Sequence, residues 1–186
     1  MTEKQKDYQS VDDVSGQQRP VLGSKFFPVL AGKTNGAHQN LVNELKSHGQ
    51  VEVDKDADAD YLMVFCPIAS RVETDINEAL SKVLPNKDII LVVMHHTFDP
   101  DRVVAESRRL VHNSNVILTV DYLFHNEKLL QSNRNDISWR EITKALGIPY
   151  SEISWFKKYQ WYIVAVIAVA AGLCATLLSI ELVFKK

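Results

Sequence analysis

Cysteine is scarce in this chain, with two residues, Cys66 and Cys174, among 186. Cys66 falls in a stretch that reads as a core strand, and Cys174 in an apolar tail. No disulfide is expected between them, and this usage points to a reducing compartment. A basic excess is also missing. Twenty-one Lys and Arg stand against 23 Asp and Glu, for a formal charge of -2. No basic stripe carries interleaved aromatics, which argues against nucleic-acid binding. No Asn-x-Ser/Thr acceptor occurs, as suits a cytosolic domain. The opening MTEKQKDYQSVDDVSG holds no apolar run, so no signal peptide is expected.

One further absence decides a motif. The stretch FFPVLAGKTNGAH ends a strand-like run in Gly32, Lys33 and Thr34. A phosphate loop needs another Gly five residues before the second one, and Phe27 stands there. The NTPase reading therefore fails. What is left is a strand, a short loop with Gly32 and Gly36, and a following helix. The first amides of that helix, with Lys33 beside them, can hold an anion. An ordinary strand-to-helix turn accounts for the same residues.

What the chain does have is one long apolar run. WYIVAVIAVAAGLCATLLSI starts at Trp161 and gives 20 residues without a charge. At ~1.5 Å per helical residue it matches a hydrocarbon core of ~30 Å. Trp155, Tyr159, Trp161 and Tyr162 form an aromatic belt at the entry side. Lys157 and Lys158 flank one end, Lys185 and Lys186 the other. The lysines tie, so orientation follows from the lack of an earlier apolar segment. The expectation is a tail anchor in the endoplasmic reticulum or mitochondrial outer membrane, with the domain in the cytosol. Ala168 and Gly172 form a small-xxx-small pair that can pack two such helices into a weak homodimer.

The chain is then expected to divide into a flexible arm (1–24), an α/β domain (25–148), a juxtamembrane linker (149–160) and the anchor (161–184). Within the domain, strands are predicted over 26–31, 51–53, 61–65, 89–94 and 116–120. Helices are predicted over 38–48, 74–83, 102–111 and 137–146, with a further element over 123–131. Strands apolar throughout are buried on both faces, and their alternation with helices of about ten residues implies a parallel sheet. The expected fold is a three-layer Rossmann or flavodoxin-like sandwich of about five strands. Ligands in such sheets bind beyond the carboxyl ends of the strands. The candidates there are Gly32, Lys33, Thr34, Ser70, Arg71, Thr74, His96 and Asp121.

Three local motifs have simpler explanations. DKDADAD, from Asp54 to Asp60, starts like a calcium loop, but Ala59 stands where Gly is needed and Phe65 where Glu is needed. In MHHTFDPD, His95 and His96 are neighbours on an extended chain and face opposite sides. Asp99 there reads as a helix cap with Pro100 in the first helical position. No metal site is expected. In CPIASRVETDINEAL, the pattern partly resembles the Gly-Thr-x-x-Glu of nucleoside deoxyribosyltransferases, whose Glu is the nucleophile. Thr74 matches, Glu73 replaces the Gly and Asn77 replaces the Glu. Glu78 lies one residue on, rotated by about 100° around a helix.

The chain also resembles a group of small bony-fish proteins with a single α/β domain. The shared segments are Val-Leu-Ala-Gly (29–32), Phe-Cys-Pro-Ile (65–68) with Ser70, Arg71 and Thr-Asp-Ile (74–76), His-His-Thr-Phe-Asp-Pro-Asp (95–101), and Leu-Thr-Val-Asp-x-Leu-Phe-His (118–125). The resemblance spans about residues 25–146. It implies the fold and an innate antiviral setting, and transfers no chemistry.

Two functions are carried forward. One is a tail-anchored, non-enzymatic module that binds a cytosolic partner or ligand without a cofactor. The other is a membrane-tethered enzyme on a nucleotide or nucleoside, with Asp75 or Glu78 as its carboxylate beside Lys33 and Arg71. A small anion such as a nucleotide is the ligand implied by the second.

Overall fold

Two stretches of this chain are apolar at every position, 61–66 and 89–94, and each is buried along its whole length. A strand whose both faces are apolar must lie between two packed layers. The computed structural model of the protein, which describes residues 22–83 and 86–149, places both strands at the centre of a sheet. In chain order the elements are β1 (Lys25–Leu30), α1 (His38–Ser47), β2 (Val51–Glu52), β3 (Tyr61–Pro67), α2 (Val72–Ser81), β4 (Asp88–His96), β5 (Val116–His125), β6 (Lys128–Leu129) and α3 (Asn133–Ala145). Short 3-10 turns lie at Asp56–Asp58 and Ser107–Leu110. The strands order as β2-β1-β3-β4-β5-β6, parallel except for β6, which runs antiparallel to β5.

Alternate residues of each strand feed opposite faces. Phe26, Tyr61, Met63, Phe65, Val92 and Tyr122 pack with Leu41, Val42 and Leu45 of α1 and Ile142 of α3. Leu62, Val64, Cys66, Leu91 and Val93 pack with Ile76, Ala79 and Leu80 of α2. Helices thus cover both faces of the sheet. The fold is mixed α/β, and the order of its strands sends the first crossover to one side of β1 and the next to the other side.

The sequence misplaces one helix. Residues 102–111 form no α-helix; the chain runs irregularly to the 3-10 turn at Ser107–Leu110. The cause is tertiary. Asp121 of β5 accepts hydrogen bonds from the Ser107 amide (3.1 Å) and hydroxyl (2.6 Å), which pins this segment against the sheet. Asp99 accordingly caps no helix. Its carboxylate accepts from the Asp101 amide at 3.0 Å in a local turn. Beyond residue 120, β5 continues to His125 and turns at Asn126, whose φ of 53° is left-handed, into β6. The element expected over 123–131 is this hairpin. The sheet has six strands where about five were expected, and β2 and β6 are two residues each.

α3 starts four residues before its predicted position because Ser132 caps it, accepting from the Asn135 amide. Asn135 then locks the hairpin: its amide nitrogen donates to the Leu123 and Leu130 carbonyls, and its oxygen accepts from the Leu123 amide. Ser138, one turn on, donates to the Asp121 carbonyl. α3 therefore starts beside the carboxyl end of β5 and runs back along it. The first compact unit of the chain closes at Ile148. The expected arm up to residue 21 lies outside the described residues, as do Lys157, Lys158, Tyr159, Trp161, Ala168, Gly172, Cys174, Lys185 and Lys186. Among the described residues no helix is long and apolar enough to cross a membrane.

Candidate functional site

β1 and β3 are neighbours whose connections leave in opposite directions, β1 toward β2 and β3 toward β4. Such a reversal leaves a crevice between the two outgoing loops. Here it forms an open cleft of about 420 Å³. Ala31, Gly32, Lys33 and Asn35 line it from the loop after β1, and Cys66, Pro67, Ile68 and Ala69 from the end of β3. Asp75 and Glu78 of α2 form the wall on one face, and His96 and Phe124 close the other side.

The two loops meet tightly. A Cβ on Gly32 would lie 2.9 Å from Cγ of Pro67, so only glycine fits without displacing the ring. Asn35 and Gly36 follow with φ of 51° and 88°. This left-handed pair turns the chain into α1 and favours Gly at the second position. Thr34 does not reach the cleft: it is buried, with its hydroxyl 2.6 Å from Nδ1 of His38. Partial burial lowers the pKa of His38, against the smaller pull of Glu52.

On the α2 side, the Asp75 carboxylate folds back over its own loop. One oxygen accepts from the Ala69 and Ser70 amides, both at 2.8 Å, and the other from the Ser70 hydroxyl at 2.8 Å. Burial alone would raise its pKa, but these three bonds outweigh it and hold the carboxyl below the usual range. An acid so held stays ionised and is a poor proton acceptor. Glu78 pairs with Lys82 at 2.9 Å, and the same ammonium reaches the Ala31 carbonyl at 3.3 Å. Cys66 is buried; desolvation first, then the charges of Asp75 and Glu78, push its thiol up to about 12. It is no nucleophile at neutral pH.

On the opposite side, the His96 ring sits edge-on to Phe124 at 5.2 Å and 5.3 Å from the ring of His125. The pairing of β4 with β5 sets His96 beside Phe124. His95 points to the other face of the sheet. Its Nε2 lies 2.8 Å from Oδ1 of Asp121, the atom that also accepts from the Ser107 hydroxyl. Burial raises the Asp121 pKa, but the hydrogen bonds from His95 and Ser107 and the charge of His95 outweigh it and leave the carboxyl low. Ser, His and Asp are neighbours here, yet the serine bonds the aspartate and not the histidine. The arrangement cannot activate a nucleophile.

The candidates thus separate. Gly32, Lys33, His96, Asp75 and Glu78 share the cleft. Ser70 touches it only through Asp75, and Arg71 and Thr74 are exposed outside its lining. Asp121 belongs to a different, buried cluster. Asn35, Ile68 and Phe124 were not picked out from the sequence; the strand register that brings Phe124 to the rim leaves no local signal. Among the described residues no group of three or more His, Cys, Asp and Glu side chains is placed to hold a metal. Comparison of the whole chain with protein-family models, curated proteins and solved structures finds no match.

Proposed function

We propose that this protein is a membrane-anchored binding module of flavodoxin-like winding, which takes a small ligand or the tip of a partner in the cleft between β1 and β3. One observation carries the reading: the cleft lies at the reversal of strand order, where open α/β sheets bind their ligands. The order β2-β1-β3-β4-β5 supports the flavodoxin-like comparison, with two crossovers reduced to 3-10 turns and β6 added at one edge. A volume of 420 Å³ suits a small molecule, since such sites run from ~300 to ~1,000 Å³. Binding without catalysis is favoured because Asp75 is fully hydrogen-bonded, Glu78 is ion-paired and the Cys66 thiol is held neutral.

The uncharged run from Trp161 supports an anchor in the endoplasmic reticulum or mitochondrial outer membrane, with the domain in the cytosol. The enzyme reading has one observation in its favour: Asp75 and Glu78 line the cleft together with Lys33. Against it, the cleft is open and Arg71 is not in its lining.

Two measurements test the proposal. A fluorescent fusion on Met1 should mark a membrane and become diffuse when the chain is ended at Ser154; diffuse signal in both forms removes the anchor. A fragment screen on the full-length chain in mild detergent, read by backbone amide shifts, should give hits centred on Gly32, Ile68 and His96. Hits centred elsewhere remove the cleft.

A further inference from the structure

The cleft holds two kinds of polar group, and they differ in what already engages them. Both Asp75 oxygens accept bonds from the loop at 69–70, and Glu78 is held by Lys82. Asp75 therefore occupies the Ala69 and Ser70 amides of the loop that precedes α2, which are closed to an outside anion. The donors of the loop after β1 are uncommitted. Among the described residues, the Lys33 ammonium, the Asn35 side chain and the amides of Gly32 and Lys33 have no hydrogen-bond partner, and the His96 ring makes only ring contacts. Strand alternation separates His96 from the acids. His96 and Phe124 share the α1 face of the sheet with Phe65 and Met94, while Asp75 and Glu78 stand on the α2 face. Between the two walls the floor is apolar, made by Pro67 and Ile68.

We infer that the cleft selects a small organic anion: a phosphate or carboxylate carried on a flat apolar body. This rests on the binding reading above and names its ligand class. The anionic group lies against Lys33 and the Gly32–Lys33 amides, which have no partner among the described residues. The flat body lies on Pro67 and Ile68 with its edge toward the His96 and Phe124 rings, which hold each other in place. A cationic ligand meets carboxylates that already have partners, Asp75 in its own loop and Glu78 on Lys82.

Four probes on one aromatic body test this: phenyl phosphate, benzoate, benzyl alcohol and benzylamine. Each is titrated into the full-length chain in mild detergent, with Gly32, Ile68, Ala69 and His96 amide shifts as the readout. The expected result is that one or both anions move these amides at least tenfold more tightly than benzyl alcohol, and that benzylamine does not move them. The tighter anion tells phosphate from carboxylate. Lys33→Ala should weaken anion binding about tenfold, as loss of one charge-assisted contact does, and Lys33→Arg should restore most of it. Lys33 is exposed and unpartnered, so both variants should fold as the parent does. Tightest binding by benzylamine, lost in Glu78→Gln, overturns the anion class and leaves the cleft as a binding site. Anion binding unchanged in Lys33→Ala also overturns it. If no probe moves the cleft amides, while fragments of other chemistry do, the class alone fails. If nothing moves them, the binding reading fails too.

Discussion

Two polar clusters lie near the carboxyl ends of the same sheet, and they are built in opposite ways. At Asp121 every polar group is answered inside the fold: His95, the Ser107 amide and the Ser107 hydroxyl all meet one buried carboxylate, and Ser138 takes the carbonyl behind it. In the cleft at β1 and β3, the acids are answered internally but the donors are left facing solvent. Burial separates the two. A charge that is 4% exposed, as Asp121 is, needs partners or the fold does not form. Lys33 at the surface needs none. The first cluster is structural, and the second is where an outside molecule can be bound.

The largest expected effect breaks the buried cluster. Asp121→Ala leaves His95 and Ser107 without their acceptor and should cost about 3–5 kcal/mol, read by urea unfolding. Acid should attack the same point. The Asp121 pKa is depressed in the fold, so the unfolded chain takes up the proton first as pH falls. Its contribution is present above the ordinary carboxylate value of about 3.9 and is lost as pH drops through that value toward the folded one. Asp121→Asn should therefore flatten the acid limb of the stability profile, and a profile identical to the parent's would contradict this.

Next in size is the tight approach of the two cleft loops. Gly32→Ala places a Cβ against the Pro67 ring and should cost about 1–3 kcal/mol by overpacking, with shifts at Ile68 and Ala69 in an amide spectrum. A smaller effect has the opposite sign. The Tyr122 hydroxyl is buried and has no hydrogen-bond partner among the described residues. Tyr122→Phe removes that unanswered group and should raise stability by about 1 kcal/mol, seen as a higher urea midpoint. The smallest effect is expected where the fold asks least: Lys33→Ala should stay within ~0.5 kcal/mol of the parent.

The central strands were legible in the sequence because burial on both faces leaves an unbroken apolar run, as at 61–66 and 89–94. The two-residue edges β2 and β6 are too short to leave a period of any kind. Residues 102–111 resemble a helix locally and are held otherwise by Asp121, a residue more than ten positions later. The cleft was half legible. Gly32, Lys33 and the carboxylates of α2 follow from the rule that ligands sit beyond strand ends. Phe124 does not, because it reaches the rim through the β4–β5 register. The Glu78–Lys82 pair has a local i,i+4 spacing, whereas Asp121 is engaged by His95 and Ser107 from distant parts of the chain, which no local pattern records.

The most direct test of this division is the unfolding free energy of a Lys33→Ala/His96→Ala double variant of the full-length chain, beside that of Asp121→Ala. If the cleft donors serve binding and not the fold, the double variant stays within about 1 kcal/mol of the parent, the loss of the exposed His96 ring contacts included, while Asp121→Ala falls by about 3–5 kcal/mol. A double variant that loses about 2 kcal/mol or more, a loss typical of groups on which a fold depends, would mean that the cleft is part of the scaffold and that its free donors are not held open for a ligand.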